Sequence, residues 1–479
     1  MNFRLSMKYG FFLILSSLTF LASTQTFAQQ PTQPRSTTAP AQPTPMQRAL
    51  QRTFTLATLP QSGELLTLTD VVTAAVANNY QIRVNRSQEL ITRNDNVRGN
   101  AGFLPTVSFG FQNNFLLQNL RQDFFNAFQA PQRLYGVFNR NASVGLTASY
   151  TVFNGFGRES TLDRLGQLVR ISEVNTRANI ELTVADATTG YYDVVRQLQR
   201  LIAFRQALDI SRERLDLARA TYEVGTRSKV DFLSAQVDYN ADSAALLAQQ
   251  LSLRNAKIVL NTLLVRDLST EFAVRDTILA RSDLSLPDLR ESLKQQNPFL
   301  AVAVLNQRLA AIDVRLARAL QYPQVDLLGG YAFNPTDNQA GFGTRRGRND
   351  ALSLGVRLAL PLYNGGNLKR QIANAQINER ITADQTANQQ LQLLSSLEQS
   401  YQQYRNSLAL LNLEVQNYQI ALQNVDIAYD RYRIGNSTFV EFRDVQRNAV
   451  TGQTRLIDAS FNAKAAEIEL LRLSSTITR

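Results

Sequence analysis

ALSLGVRLALPLYNGG, residues 351–366, alternates along most of its length. Leu352, Leu354, Val356, Leu358, Leu360 and Leu362 are apolar, while Ser353, Gly355, Arg357, Ala359 and Pro361 between them are mostly small or polar. Successive side chains of a strand point to opposite faces, so this pattern predicts about ten residues of strand with one apolar face. ASVGLTASYTVFNG (142–155) repeats the pattern, with Val144, Leu146, Ala148, Tyr150 and Val152 as its apolar set. Pro105 and Pro323 introduce two further strands, TVSFGFQ (106–112) and QVDLLGGYAF (324–333). Such strands suit a membrane wall with lipid outside and water inside. One layer of a soluble sandwich is the plainer alternative, but the rest of the chain offers helices rather than a second sheet.

Working outward, the chain is written twice. The strand ends VFNGFGR (152–158) and LYNGGNLK (362–369) lie 210 residues apart. The same spacing relates YEVGTRSKVDFLSAQ (222–236) to YRIGNSTFVEFRDVQ (432–446), with Tyr222/Tyr432, Gly225/Gly435, Phe232/Phe442 and Gln236/Gln446 in common. An acid recurs as Asp231 and Glu441. Upstream, NNYQIRV (78–84) aligns with QNPFLAV (296–302) at a spacing of 218, so the first half holds eight extra residues, expected in a loop between its strands. Each half (63–283 and 284–479) therefore runs in one order. A helical stretch (67–102, 286–320) leads into two strands, a very long helix (158–223, 366–433), a glycine break and a last helix (229–265, 438–475).

Four strands are too few to close a cylinder, since even the smallest membrane barrels need about eight. An open edge in lipid leaves backbone groups unsatisfied, so other copies of the chain must complete the wall, and three copies supply twelve strands. The long helices have no Pro over about 65 residues, on the order of 100 Å, and need a partner along their whole length. Phe204, Leu208, Ser211, Leu215, Ala218 and Tyr222, then Tyr418, Ala421, Val425, Ala428 and Tyr432, supply a seam at 3–4 spacing. The two shorter helices of each half, end to end, match the long one and are expected to pack antiparallel beside it.

The composition removes much chemistry. With no Cys, His or Trp, thiolate, imidazole and zinc-ligand designs are absent, so no cofactor or metal site is expected. The net charge of +11 is spread among Gln, Asn and acids along the helices; its nearest approach to a cluster is Arg345, Arg346 and Arg348, and nucleic acid is not an expected partner. Residues 1–28 have a charged start, a short apolar core and a small-residue end, the pattern of a secretory signal peptide. Residues 29–62 open with five of the thirteen prolines by Pro45 and predict a disordered leader. The lone G-x-G in GFGTRRG lacks the spacing and the Lys of a phosphate loop.

FNGFG and YNGGN together with the paired YxxG tips resemble the TolC-like outer-membrane efflux family over about 66–475. The resemblance implies a trimer with one outer-membrane barrel of twelve strands, continued by an α-helical periplasmic tunnel. It further implies a periplasmic adaptor and an inner-membrane pump of RND or ABC type. Family members open at the tips by outward movement of second-repeat helices. The resemblance matches Glu441 and Asp444 to acids ringing the pore, Asp231 to a first-half gate position and Tyr432 to a constriction. Ser437 stands where the archetype has a basic residue that helps to lock the entrance.

Read on their own, these residues have simpler roles beside the implied ones. Ser228 and Thr438 precede Asp231 and Glu441 by three residues, the spacing of a capping box. Asp444 has Ser234 as counterpart, so the turn does not need its acid; a pore ring and a solvated face are the two readings. Tyr222 and Tyr432 sit at seam spacing. Gly225 with Thr226, and Gly435 with Asn436, turn the tips, and the resemblance implies adaptor contacts there and at Tyr222; Asn154, Gly155, Asn364 and Gly365 turn strand into helix. A secreted coiled-coil rod or adhesin is the alternative of another class, and it leaves the alternating strands unexplained. An enzyme is the poorest option, because no triad, metal cluster or converging acids can be assembled.

Overall fold

A computed structural model describes residues 63–478 apart from 124, 126–129, 276 and 339–343. The signal-peptide and leader readings for 1–28 and 29–62 lie outside the described residues. The order is β1 (Glu64–Leu65), α1 (Leu68–Asn78), α2 (Tyr80–Asp95), β2 (Thr106–Gln122), β3 (Gln132–Asn154), α3 (Gly157–Glu223) and α4 (Lys229–Leu264). The second half follows as β4 (Phe272–Ala273), α5 (Leu286–Gln296), α6 (Pro298–Ala319), β5 (Gln324–Asn338), β6 (Arg346–Ala359), α7 (Asn367–Arg433) and α8 (Phe439–Leu473).

The four long strands form one antiparallel sheet in the order β2-β3-β5-β6. Its register aligns apolar rows across all four, Phe109–Leu146–Tyr331–Leu352 and Val107–Ala148–Gly329–Leu354. The next rows, on the other face, read Ser108–Thr147–Gly330–Ser353 and Gly110–Gly145–Ala332–Ala351. Hydroxyls pair across that polar face, Ser108 Oγ to Thr147 Oγ1 and Thr106 Oγ1 to Ser149 Oγ, both at 2.8 Å. Among the described residues nothing lies over these apolar rows at either edge: Leu354 is 82% exposed and Val107, Phe109 and Val356 are nearly as bare. The strands are longer than the ten residues the alternation marks, 17 and 23 residues in β2 and β3. The first hairpin thus absorbs the extra residues as strand.

Both long helices span 67 residues, about 100 Å at the α-helical rise. Each packs along the last helix of its own half, α3 on α4 and α7 on α8. The shorter helices lie along them too, α1 and α2 on α3, and α6 between α3 and α7. The halves also meet where α8 packs on α3.

Each leading helical stretch is two helices rather than one. The Asn79 carboxamide accepts from the N–H groups of Gln81 (2.8 Å) and Ile82 (3.3 Å), and Asn297 accepts from Leu300 (3.1 Å) ahead of Pro298. A capping Asn restarts a helix, and Pro at the first position continues it without a missing bond. β1 and β4, which alternation cannot signal in two residues, pair in parallel through Glu64–Phe272 and Leu65–Ala273.

The strand–helix junctions work as turns and caps. Asn154 Oδ1 accepts from the Arg158 N–H at 3.1 Å and Asn364 Oδ1 from the Leu368 N–H at 3.2 Å, each four residues on. Gly155 and Gly365 both hold positive φ, 69° and 67°, but a Cβ at Gly155 would lie 2.4 Å from the Ala319 carbonyl oxygen, while Gly365 faces open space. Gly365→Ala should therefore cost about 1–2 kcal/mol of left-handed strain alone, and Gly155→Ala more. Apparent thermal midpoints by circular dichroism of the detergent-purified protein check this; equal losses would contradict it.

Candidate functional site at the helix tips

α3 and α7 each end in the same backbone knot. At the first tip the N–H of Gly225 bonds the Tyr222 carbonyl (2.9 Å) and that of Thr226 the Thr221 carbonyl (2.9 Å). At the second, Gly435 bonds Tyr432 (3.2 Å) and Asn436 bonds Arg431 (2.8 Å). This pattern needs a left-handed residue after the helix, and the glycines take it, with φ of 80° and 82°.

The restart differs between tips. Thr438 Oγ1 accepts from the Glu441 N–H, and the Glu441 carboxylate accepts from the Thr438 N–H, both at 3.2 Å, a complete capping box. Ser437 Oγ adds a third bond to the same carboxylate at 2.8 Å. The Ser437 hydroxyl first, then the Thr438 N–H, hold the Glu441 pKa below the usual carboxylate range. At the first tip Ser228 accepts from the Asp231 N–H (3.2 Å), and the return bond that the sequence spacing predicts is not made. Acid length does not decide this, since Asp70 closes the same box on Thr67, its carboxylate accepting from the Thr67 N–H at 3.0 Å. Asp444 is exposed, with Arg443 its nearest cation at 3.6 Å.

The repeated aromatics pair within each tip. Tyr222 stacks on Phe232 at 6.0 Å and is 38% exposed, whereas Tyr432 stacks on Phe442 at 5.4 Å and is 2% exposed. Tyr432 is covered because the first tip leans on it: the Arg227 guanidinium lies 4.8 Å over its ring. Ala218 and Ala235 from the first half complete an apolar cluster with Tyr432, Phe439 and Phe442 from the second.

Further along the helices from the turns lies a polar clasp that the sequence pattern missed. Arg214 of α3 is 4% exposed, donating Nη2 to Asp238 of α4 (2.9 Å) and Nη1 to Gln446 of α8 (3.1 Å). Its guanidinium lies 4.8 Å over Phe439. Gln446 in turn donates to the Ala207 carbonyl (3.3 Å) and Ser211 (3.4 Å), and Ser211 donates to Asp242. Burial draws the Arg214 pKa down while Asp238 and Asp242 oppose the shift. Beside it lies a cavity of about 440 Å³, lined in part by Phe204, Asp242, Arg447 and Val450. The signal was Ser211, a hydroxyl inside an otherwise apolar seam. Gln236, the repeat partner of Gln446, is exposed, so only the second copy serves the clasp.

Paired long helices that end in matched tips and hang from a sheet with one bare apolar face define a membrane-channel subunit. The chain belongs to the outer membrane efflux protein family, whose profile matches residues 71–265 and 289–475. The family consists of outer-membrane channels rather than enzymes, and this chain is an outer-membrane protein.

The outer membrane protein TolC of Vibrio cholerae is 29% identical over 195 residues, 40% of this chain and 44% of that protein. The chain thus matches less than half of that relative's length. The probable efflux pump outer membrane protein TtgC of Pseudomonas putida is 23% identical over 373 residues, covering 74% of this chain and 75% of it. Among solved structures, the CmeC outer-membrane channel of Campylobacter jejuni superposes with a TM-score of 0.71 at 14% identity, covering 85% of each chain. The outer-membrane channel OprN gives 0.69 at 18% identity, covering 85% of this chain and 90% of it. At these identities the likeness shows the fold.

Because the folded Glu441 pKa is lowered, its capping contribution is complete above the ordinary value of 4.5 and is lost as pH falls through the lower folded value. Amide-exchange protection at the start of α8, corrected for intrinsic rates, should fall on acidification through that window in the wild type. Glu441→Gln should flatten this response; an unchanged pH dependence would contradict the cap assignment.

Proposed function

We propose that three copies of the chain form a passive exit duct through the outer membrane. The observation that carries this reading is the sheet itself: four strands, a bare apolar face, and edges at β2 and β6 that, among the described residues, no other strand covers. Three such sheets make a cylinder of twelve strands, lipid against the apolar rows and water against the Ser, Thr and Gly rows. The pairs α3/α4 and α7/α8, with the shorter helices end to end, continue the wall as a periplasmic tunnel about 100 Å long. No chemistry is performed in the duct; an inner-membrane pump of RND or ABC type supplies the energy through a periplasmic adaptor. Relatives named for efflux pumps support this assignment.

The tips form the periplasmic entrance in this reading. Glu441 and Asp444 ring it with negative charge, Asp231 adds to it from the first half, and Tyr432 sits at the constriction. The turns at Tyr222, Gly225, Thr226, Gly435 and Asn436 are the adaptor contacts. The Arg214 clasp and the Arg227–Tyr432 contact tie α8 and its tip to α3, so opening requires that these bonds be exchanged for others. Ser437, bonded to Glu441, supplies no cation to the closed state. A secreted rod leaves the bare sheet face without a role.

Planar-bilayer recording tests the duct and its gate together. Glu441→Ala with Asp444→Ala should weaken block by a trivalent cation at least about tenfold, as loss of a charged ring implies. Arg214→Gln should raise the frequency of open events by releasing the clasp. Unchanged block removes the acidic ring and leaves the duct; purified trimers that never conduct would overturn the duct.

A further inference from the structure

We infer that the lipid-facing side of the sheet carries a binding site for the phosphate groups of outer-leaflet lipid, built from Arg140, Arg346 and Arg348. The inference rests on the barrel reading above. Arg140 shares the face of Ala142, Val144 and Leu146 on β3, and Arg346 and Arg348 share that of Asp350, Leu352 and Leu354 on β6, by period two. This is the bare apolar face. Toward the hairpin ends the last row that is apolar on three strands is Phe111–Val144–Phe333, which ends in Asp350 on β6. One step beyond, Arg348 stands opposite Pro335; a second step reaches the row Phe115–Arg140–Asp337–Arg346. Beyond them, among the described residues, only the longer first hairpin carries a further apolar pair in register, Leu117 opposite Phe138, so the arginines stand at the rim of the apolar face, on the side away from the helices.

Their guanidinium groups are held in place. Arg140 lies 5.7 Å over the Phe115 ring and donates Nε to Asn113 Oδ1 at 3.1 Å. Arg348 lies 4.9 Å over Phe333 and is bonded to Asp350 at 2.9 Å, and Arg346 approaches Asp337 at 3.6 Å. Each guanidinium has five N–H donors, and these contacts engage only part of them, so donors remain on exposed side chains. Three arginines against two aspartates leave a net positive border in each copy, repeated around the wall. A guanidinium fork fits phosphate oxygens two at a time, which a hydrated ammonium does not.

The opposite border of the same face has another composition. There the exposed groups are Leu358, Leu360, Leu362 and Tyr363 beside Tyr322. Two arginines stand at that end: Arg357 belongs to the other face and is bonded to Asp326 at 2.8 Å, and Arg158, over Tyr150, commits its guanidinium to the Thr151 and Val152 carbonyls at 2.5 and 2.6 Å. This asymmetry points to the outer leaflet as the phosphate source.

Native mass spectrometry of the detergent-purified full chain tests the site with a bisphosphorylated glycolipid, its dephosphorylated form and inorganic phosphate as probes. The wild type should retain the phosphorylated lipid, and Arg140→Gln with Arg346→Gln and Arg348→Gln should bind it at least about tenfold more weakly. Should the Gln variant fail to assemble, the corresponding Lys variant should still bind more weakly than wild type, because the fork is lost. Equal retention of both glycolipids, equal binding by wild type and variant, or capture of inorganic phosphate alone with equal strength would each overturn the site. Bilayer conductance of the variants should stay at the wild-type level, which separates failure of this site from failure of the duct.

Discussion

The backbone of β2 and β6 decides what this molecule has to be. A strand edge presents a row of N–H and C=O groups, and in water those groups find solvent. In hydrocarbon each unsatisfied group costs several kcal/mol. The sheet turns one apolar face outward over its whole width, with Leu354, Val356 and Phe109 bare, so its surroundings are lipid. In the proposed duct, a chain with that face and two open edges is one third of the wall, and two further copies supply the rest. In that reading oligomerisation is a consequence of hydrogen bonding rather than an addition to the fold.

The helices follow from the same geometry. Each hairpin delivers its chain to the bottom of the wall at Asn154 and at Asn364, where the side chain caps the helix that continues downward. Two equal helices of 67 residues result, each laid against the last helix of its half. Sequence duplication produces this near-symmetry, and the tips are where it fails. Tyr432 is buried and Tyr222 half-exposed; Gln446 joins the Arg214 clasp and Gln236 faces solvent. The gate proposed here needs one half that can move against another, and chemically unequal tips on a repeated frame would provide it.

Much of this was legible beforehand because it depends on local period. Alternation at 144–152 and 352–358 marks the strands and their faces, though the pattern runs on to Leu362 past the strand end at Ala359, and the glycines at 225 and 435 mark where the long helices end. What escaped is set by single residues or by distant pairing. One Asn divides each leading stretch, and a two-residue strand at Glu64–Leu65 exists only because Phe272–Ala273 lies beside it. The shared Ser/Thr-x-x-acid spacing suggested capping boxes at both tips, yet Glu441 closes one and Asp231 does not, although Asp70 at the same spacing from Thr67 does. The clasp joins Arg214 to Gln446, 232 residues on, and no periodicity carries that information.

The absence of cysteine from the natural chain makes the central claim directly accessible. With Ser108→Cys on β2 held fixed, single cysteines scanned along Ser353, Gly355 and Arg357 on β6 can be oxidised in isolated outer membranes. A wall shared among three copies predicts at least one position that traps dimers and trimers, with no higher species. Monomer at every pair, in membranes where the protein resists carbonate extraction, would contradict it.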